Sequence, residues 1–420
     1  MRAYILSTGD EVLLGDIVDT NSSFICRSLK DMGIEVDKII AVGDSVDTIS
    51  ANIKDISEHT DICLVTGGLG PTKDDMTALA CSKAADDTLE LKSDALESMK
   101  SYFKLRGFKF TSDNEKQAKL PSKAKMIENH NGTAPGFYIN INRCLFFFMP
   151  GVPSEMKLML KEQVKKILVN RFNLSDKILI ARLTLFGLPE SKAGFLLKEF
   201  ENNFPQMRLG FRADFLLIEV KIVLTDFHID KVKALVKIEK AKQWVIGQLG
   251  NKVVSTKGFT IAQEVGRLLT QQNKTLAIAE SCTGGLISNM MTDISGSSEF
   301  FLFSGVTYSN DAKINILNVR KKTIIDHGAV HEQTALEMAK GARQKVGADF
   351  AISTTGIAGP TGGTKKRPVG MVCIGIAGAD FAKAKTYRFS FDDRLLNKKM
   401  FAAMALELLR RHLVSLQKNL

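Results

Sequence analysis

The chain repeats one local pattern along most of its length: a short apolar run, a turn of small residues and an amphipathic helix. Residues 3–8, 36–42 and 61–66 are such runs near the amino terminus, with helical periodicity between them. Strands that alternate with helices form βαβ units, which place the strands in a parallel sheet between helical layers. The pattern therefore predicts an α/β fold, and it predicts that the turns after the strands meet at one sheet edge, where ligands bind.

The length of the chain and two changes of pattern predict its domains. At 420 residues the chain is too long for one ordinary core. The strand–helix alternation changes near residue 170 and again near residue 252. We therefore expect two separate three-layer α/β domains, at 1–170 and 253–420, joined by a small α+β domain at 171–252.

The middle domain has strand-like runs at 178–185 and 215–224 and helical patterns at 190–200 and 229–249. This mixture is compatible with a KH-like unit. A KH domain that binds RNA carries a Gly-x-x-Gly turn between two helices, and that turn is not evident in this sequence. A spacer or a dimerisation module is the favoured interpretation.

Charge and cysteine usage limit the possible partners and location. The formal net charge of +11 favours anionic ligands, but the densest basic groups, 320–322 and 365–367, lack interleaved aromatic residues. We therefore do not expect nucleic acid as a partner. The six cysteines form no Cys-x-x-Cys pair, which is typical of reduced thiols. With no leader and no apolar segment of about 20 residues, the sequence predicts a cytoplasmic protein without a membrane partner.

The most informative stretch is 276–285, Leu-Ala-Ile-Ala-Glu-Ser-Cys-Thr-Gly-Gly. A strand enters this turn and a helix leaves it, so Ser281 would lie where free backbone N–H groups point outward. A neutral serine needs a base, and a lysine can be that base if burial lowers its pKa. Lys313 would supply the amine, and Tyr308 could relay a proton. A simple helix cap at Ser281 and a solvated Lys313 are the alternatives.

The same turn offers a rival nucleophile and candidate oxyanion donors. Cys282 is the rival, because the pKa of a thiol is lowered at a helix N-terminus. The backbone N–H groups of Cys282, Thr283, Gly284 and Gly285 could bind an oxyanion. The residues alone leave the choice between serine and cysteine open.

A second glycine-rich turn follows the strand at 61–66, with the sequence Gly-Gly-Leu-Gly-Pro-Thr-Lys-Asp-Asp at 67–75. Its N–H groups could approach a phosphate, and Asp74 and Asp75 could hold a divalent cation. The turn matches neither the dinucleotide fingerprint nor the P-loop, and a helix N-cap at either aspartate is the simpler alternative. The candidate phosphate-binding residues are Thr66, Gly67, Gly68, Gly70 and Thr72.

Five blocks cover the first 170 residues: Thr-Gly-Asp-Glu-Val-Leu-Leu-Gly at 8–15, Asp-Thr-Asn at 19–21, the turn at 66–75, Gly-Thr-Ala-Pro-Gly at 132–136 and Pro-Gly-Val-Pro-Ser-Glu-Met at 150–156. Together they resemble the molybdopterin-binding-like domain of CinA (competence/damage-inducible) proteins. Some members hydrolyse ADP-ribose with a divalent metal such as Mg²⁺, and the resemblance implies that activity here. The implied metal ligands are Asp10, Asp74, Asp75 and Glu155.

The alternative for this domain is a non-catalytic pterin-binding or nucleotide-binding protein linked to competence or DNA damage. His130 and Asn131 stand where many relatives carry a proline and a small residue. This departure leaves the expected fold unchanged and bears on substrate preference.

Five further blocks, at 279–285, 305–313, 328–330, 355–363 and 368–370, resemble the CinA C-terminal domain, which also occurs alone as nicotinamide-nucleotide amidase. The family converts nicotinamide mononucleotide to nicotinate mononucleotide and ammonia, and we expect no cofactor for this step. Its catalytic serine, tyrosine and lysine match Ser281, Tyr308 and Lys313. The expected ligands are therefore nicotinamide mononucleotide and ADP-ribose, and we expect a homodimer.

The resemblance also implies a phosphate site. The loop at 356–363 would hold the 5′-phosphate of the substrate through backbone N–H groups, with a threonine hydroxyl and an arginine as further donors. The residues of this expected site are Gly356, Gly359, Thr361, Gly362, Gly363 and Arg394. Two departures from the family pattern are Lys398, where relatives carry arginine, and His331, where serine is usual.

Overall fold

The computed structural model describes residues 1–174, 179–224, 230–389 and 391–417. Contacts divide these residues into two compact units: the first holds the described residues up to 179 with 230–231, and the second holds 180–224 with those from 232 onward. The sequence predicts a domain boundary between the middle segment and the C-terminal domain. In the structure these two parts instead pack together in one unit. Residues 178 and 229, which the sequence assigns to a strand and a helix, lie outside the described residues, and so does residue 390 of a strand-like run at 385–391.

The first unit is built from short strands and helices in alternation. Its strands are β1 Arg2–Thr8, β2 Glu35–Val42, β3 Ile62–Thr66, β4 Leu89–Leu91, β5 Lys119–Pro121, β6 Lys125–Ile127, β7 Gly136–Ile141 and β8 Cys144–Met149. Its helices are α1 Asp10–Leu13, α2 Thr20–Asp31, α3 Val46–His59, α4 Thr77–Ala84, α5 Ser93–Arg106, α6 Pro153–Met159 and α7 Lys165–Phe172.

The main sheet of this unit has the strand order β2-β1-β3-β8-β7-β6 among the described residues. Strands β2, β1, β3 and β8 run parallel. Successive side chains of β1 enter different cores, since Tyr4 and Leu6 pack on one face and Ala3 and Ile5 on the other. Helices cover both faces, so the expected three-layer α/β architecture is confirmed.

The polar segment 91–125, which the sequence leaves open between a helical insertion and a mobile lid, contains a helix that packs on the sheet. Helix α5 buries Ala95, Met99 and Phe103 in the core. It ends at Gly107, whose φ of 70° is the left-handed conformation that glycine adopts readily. The segment is therefore a helical insertion over the sheet.

The second unit continues the chain with two further sheets. Its strands are β9 Leu179–Phe186, β10 Met207–Asp214, β11 Leu217–Leu224, β12 Val253–Ser255, β13 Leu276–Glu280, β14 Phe301–Val306, β15 Phe350–Gly356, β16 Met371–Ala377 and β17 Ala382–Arg388. Its helices are α8 Glu190–Leu196, α9 Phe200–Asn203, α10 Lys231–Leu249, α11 Ile261–Gln271, α12 Leu286–Thr292, α13 Asn310–Leu317, α14 Lys321–His327, α15 Glu332–Val346 and α16 Arg394–Gln417.

The middle segment forms an α+β unit, with the strand order β10-β11-β9-β12 in the described residues. The sequence does not predict β10, because Arg208, Arg212 and Asp214 interrupt its apolar pattern at the edge of the sheet. Strand β12 pairs with β9. The boundary that we expected at residue 253 therefore falls just before a strand of the middle sheet. The KH-like assignment stays a prediction.

The C-terminal sheet has the order β14-β13-β15-β16-β17, in which β14, β13 and β15 run parallel. Helices α11, α12 and α16 pack on one face, and α13 and α15 pack on the other. The carboxyl ends of the three parallel strands place Ser281, Thr307 and the loop after Gly356 at one edge. This second three-layer domain is also as expected. None of the described helices combines the length and hydropathy that a membrane crossing requires.

Gly341 in α15 tests the close packing of this domain. A β-carbon at Gly341 would overlap the carbonyl oxygen of Leu317. We expect Gly341→Ala to destabilise the domain by about 1–3 kcal/mol, although alanine improves helix propensity by about 1 kcal/mol. Gly247→Ala in α10 is the matched control, because nothing lies within 4 Å of its β-carbon. Thermal unfolding should show a lower midpoint for the first variant only, and equal midpoints for Gly341→Ala and wild type would contradict the packing.

Candidate active site

Ser281 lies in a tight turn between β13 and α12 and is 7% exposed. Its N–H donates to the Thr354 carbonyl at 3.0 Å, and its own carbonyl accepts from the N–H of Gly284 at 3.1 Å. Gly284 and Gly285 have φ values of 60° and 90°, which glycine tolerates without strain. The turn therefore fixes the serine at the carboxyl end of its strand.

Lys313 reaches Ser281 from the first turn of α13. The helix begins after Ser309, whose side chain accepts from the N–H of Ala312 at 3.0 Å. The Lys313 Nζ atom is 3.0 Å from Ser281 Oγ and donates to the carbonyls of Thr307 and Tyr308 at 2.9 Å each. No carboxylate among the described residues forms an ion pair with Lys313. The structure thus brings together the serine and lysine that the sequence suggests.

Burial changes the protonation of Lys313, which is only 1% exposed. Desolvation lowers the pKa of its amine to about 8. Asp311, the carboxylate two residues before Lys313 in the chain, is exposed. A neutral amine can donate two hydrogens to the two carbonyls and direct its lone pair at the Ser281 hydroxyl. The arrangement is that of a general base beside a nucleophile.

Cys282 has the opposite environment to that of a reactive thiol. It is 5% exposed, and burial raises the pKa of the thiol to about 12. A thiol in this state is protonated at neutral pH and is a poor nucleophile. The geometry therefore favours Ser281 over Cys282.

Two of the four expected oxyanion donors are already engaged. The N–H of Gly285 donates to Glu280 Oε2 at 3.0 Å, and that of Gly284 donates to Ser281. The N–H groups of Cys282 and Thr283 have no oxygen acceptor among the described residues. These two groups are therefore the donors at the turn that lack an oxygen acceptor, and both belong to buried residues.

Glu280 is a site residue that the sequence analysis missed. It is 0% exposed, and its carboxylate accepts from the N–H groups of Ile287 at 3.2 Å and Ser288 at 2.9 Å as well as from Gly285. A carboxylate at this position stabilises the N-terminus of α12. The signal was an acidic residue that closes an otherwise apolar strand directly before a helix.

Tyr308 contributes differently from what was expected. Its carbonyl accepts from Lys313, whereas its side chain is 61% exposed and its hydroxyl accepts from Arg394 Nη2 at 3.3 Å. The hydroxyl of Tyr308 therefore pairs with Arg394 and not with the lysine. A proton relay from Tyr308 to Lys313 stays a prediction.

The glycine loop after β15 is held from α16. Arg394 Nη1 donates to the Gly359 carbonyl at 2.7 Å, and Asn397 Nδ2 donates to the Ala358 carbonyl at 3.0 Å. At Gly356 a β-carbon would meet the carbonyl oxygen of Met371 at 2.5 Å, so a side chain does not fit there. The N–H groups of Thr361, Gly362 and Gly363 have no acceptor among the described residues. These exposed donors suit the expected phosphate site.

The two departures from the family pattern have distinct surroundings. His331 caps α15, because its Nδ1 atom accepts from the N–H of Gln333 at 3.1 Å. It therefore keeps the capping role that a serine would have. Lys398 Nζ lies 3.4 Å from the position of a β-carbon on Gly284, so its charge is close to the nucleophile turn.

The N-terminal domain gathers carboxylates at the ends of its parallel strands. Asp10 and Asp44 accept reciprocally from each other's backbone N–H groups at 3.1 Å. Burial raises the pKa of Asp44, and the charges of Asp10, Glu11 and Asp75 add to this effect. Asp44 was missed, although it follows the end of β2 as Asp10 follows the end of β1.

The expected metal ligands do not form one cluster. Asp75 accepts from the N–H and hydroxyl of Thr72 at 2.8 and 2.7 Å. Glu155 accepts from Asn129 at 2.7 Å, and burial raises the pKa of its carboxyl. Within 1–174, 179–224, 230–389 and 391–417, no three acidic, histidine or cysteine side chains are arranged to hold a metal. The metal site at Asp10, Asp74, Asp75 and Glu155 stays a prediction.

The expected phosphate turn of this domain is partly engaged. The Thr66 hydroxyl donates to the Pro150 carbonyl at 3.1 Å, and the N–H of Gly67 donates to the Met149 carbonyl at 3.1 Å. The N–H groups of Gly68 and Gly70 have no acceptor in the described chain. Of the expected backbone donors, these two are available to a ligand.

Two family models match separate regions of the chain. Residues 259–413 match the CinA C-terminal domain, and residues 4–170 match a probable molybdopterin binding domain. A nicotinamide-nucleotide amidohydrolase PncC of Shewanella oneidensis is 38% identical over 99% of this chain and 96% of its own. The crystal structure of a CinA protein with unknown function from Thermoplasma acidophilum covers 40% of this chain and 97% of its own, at 35% identity and a TM-score of 0.37.

The similarity extends along the full described architecture. A CinA-like protein of Desulforapulum autotrophicum is 48% identical over 419 residues, which are 99% of this chain and 99% of that protein. A relative so similar over both α/β domains and the middle segment shows the family and confirms the resemblance seen in the motifs. The chain belongs to the family of CinA-like proteins.

Proposed function

We propose that the C-terminal domain deamidates nicotinamide mononucleotide to nicotinate mononucleotide and ammonia. The observation that carries this proposal is the 3.0 Å contact between Ser281 Oγ and the buried Lys313 amine, whose pKa is lowered to about 8. The name of the Shewanella oneidensis relative, a nicotinamide-nucleotide amidohydrolase, supports the choice of substrate.

In the first half of the reaction, Lys313 removes the hydroxyl proton of Ser281 as Oγ attacks the carboxamide carbon. With a pKa of about 8, roughly a tenth of the lysine is neutral at pH 7, and this fraction grows as the pH rises. The oxyanion that forms faces the N–H groups of Cys282 and Thr283. Lys313 then returns the proton to the amide nitrogen, the C–N bond breaks, and ammonia leaves an acyl-serine ester.

The second half consumes one water molecule. Lys313 accepts a proton from this water as it attacks the ester carbon, and Ser281 Oγ recovers a proton when the C–O bond breaks. The products are the nicotinate nucleotide and the free enzyme. The exposed N–H groups at 361–363 and Arg394 would bind the 5′-phosphate, which fixes the other end of the substrate. The homodimer and the cytoplasmic location stay predictions.

A pair of single substitutions tests the nucleophile. Because Ser281 Oγ forms the covalent bond, Ser281→Ala should lower the rate of ammonia release at least about a thousandfold. Cys282→Ala is the matched control and should stay within about threefold of wild type, because its thiol is protonated and buried. Ammonia release from nicotinamide mononucleotide measures both, and undiminished turnover by Ser281→Ala would exclude the serine.

For the N-terminal domain we propose metal-dependent hydrolysis of ADP-ribose to AMP and ribose 5-phosphate. The supporting observation is that the strand ends place Asp10 in hydrogen-bond contact with Asp44, and Asp75 close enough to Asp44 to raise the pKa of that carboxyl. Gly68 and Gly70 add free N–H groups at the same sheet edge. Carboxylate oxygens are ligands that Mg²⁺ accepts. Since the described residues contain no complete three-ligand group, we assign no chemical step to a metal.

The corresponding test compares two aspartate substitutions. We expect Asp75→Asn to lower Mg²⁺-stimulated AMP production at least about tenfold, because it removes a carboxylate charge beside the glycine turn. Asp55→Asn, at a 65% exposed position on α3, should leave production unchanged. Chromatography of AMP measures both variants. Unchanged production by Asp75→Asn would contradict its role, and tight ADP-ribose binding without product would favour the non-catalytic alternative.

A further inference from the structure

The middle sheet touches the amidase domain through the tip of the β10–β11 hairpin. The Phe215 ring packs edge to face on Phe391, with 5.1 Å between the ring centroids and 62° between the planes. Leu216 and Leu217, the next residues of the hairpin, pack against a core cluster that the middle sheet shares with the C-terminal domain. The hairpin therefore contacts the segment that leads into α16.

That segment is tied directly to the glycine loop. Asn397, which is 0% exposed, donates through Nδ2 to the carbonyls of both Phe391 and Ala358, at 2.8 and 3.0 Å. One buried amide thus joins the residue under Phe215 to the beginning of the loop. A displacement of Phe391 would break or stretch a hydrogen bond that is shielded from water.

Arg394 links the same segment before α16 to both the glycine loop and Tyr308. It lies between Phe391 and Asn397 in the chain and donates to the carbonyl of Gly359 and the hydroxyl of Tyr308, at 2.7 and 3.3 Å. The N-terminal end of α16, here called its entry, therefore positions the glycine loop, the Arg394 guanidinium and Tyr308 together. Such a contiguous set of packed and hydrogen-bonded groups can carry energetic coupling.

We propose that Phe215 is a positioning residue of the amidase: it fixes the entry of α16 against the middle domain and so holds the glycine loop and Arg394 ready for the 5′-phosphate. This inference rests on the proposed deamidation of nicotinamide mononucleotide. It gives the middle domain a role in substrate binding beyond that of a spacer. The affected part of the substrate is its phosphate, because the Ser281 N–H donates to the Thr354 carbonyl of β15 and Lys313 donates to the Thr307 carbonyl, and neither acceptor belongs to this connection.

Binding measurements that compare two ligands test the proposal. In the Ser281→Ala background, calorimetry measures affinity for nicotinamide mononucleotide and for nicotinamide riboside, which lacks the phosphate. Loss of the ring contact in Phe215→Ala should weaken mononucleotide binding by about three- to tenfold and leave riboside binding unchanged. Phe215→Tyr keeps the ring and should restore the affinity.

A matched control is Phe195→Ala, because Phe195 is a 61% exposed phenylalanine of the same middle domain. It should bind both ligands like the parent protein. Equal mononucleotide affinity in Phe215→Ala and its parent would overturn the inference, and so would equal weakening of both ligands, which indicates general distortion. A parent that binds no mononucleotide, together with a wild type that releases no ammonia, would instead refute the proposed function.

Discussion

The burial of the Lys313 amine determines what the C-terminal domain can do. Within the part of the chain that the structure describes, Lys313 has two carbonyl oxygens and a hydroxyl as partners and no carboxylate. Desolvation of a cation without a paired anion costs free energy, and a neutral amine avoids that cost. These partners therefore leave the pKa of Lys313 near neutral pH, so that a residue that is ordinarily charged can act as a base. Three features hold Ser281 and Lys313 in place: the turn that contains Ser281, the cap by Glu280 and the start of α13 after Ser309.

Both α/β domains place their candidate sites by the same rule. Parallel strands direct their carboxyl ends to one edge, so residues that are distant in the chain meet there. In the C-terminal domain this brings Ser281, Tyr308 and the glycine loop together. In the N-terminal domain it brings Asp10, Asp44 and the turn at 67–75 together. The middle sheet contributes through packing at the N-terminal end of α16.

The sequence predicted the parts of the site that depend on this rule. The residues alone suggested the Ser281–Lys313 pair but left a helix cap and a solvated lysine as alternatives, and the resemblance to the CinA C-terminal domain implied the catalytic roles. The lowered pKa required knowledge of burial, which adjacent residues such as Asp311 do not reveal. Glu280, Asn397 and the Arg394–Tyr308 contact depend on side-chain directions that motifs do not encode. The sequence did not predict strand β10, because an exposed edge strand carries charged residues that interrupt the apolar pattern. It also did not predict that the middle segment packs on the C-terminal domain, because this packing depends on contacts such as that of Phe215.

The central claim concerns the protonation of Lys313, and NMR can measure it directly. A pH titration of protein with ¹³C-labelled lysine side chains, with Lys313→Arg used to assign the signal, reports the pKa of this amine. The account predicts a transition at about pH 8. A transition at the ordinary lysine value of about 10.4 would contradict it, because Lys313 would then be fully charged at neutral pH and could not accept the proton of Ser281.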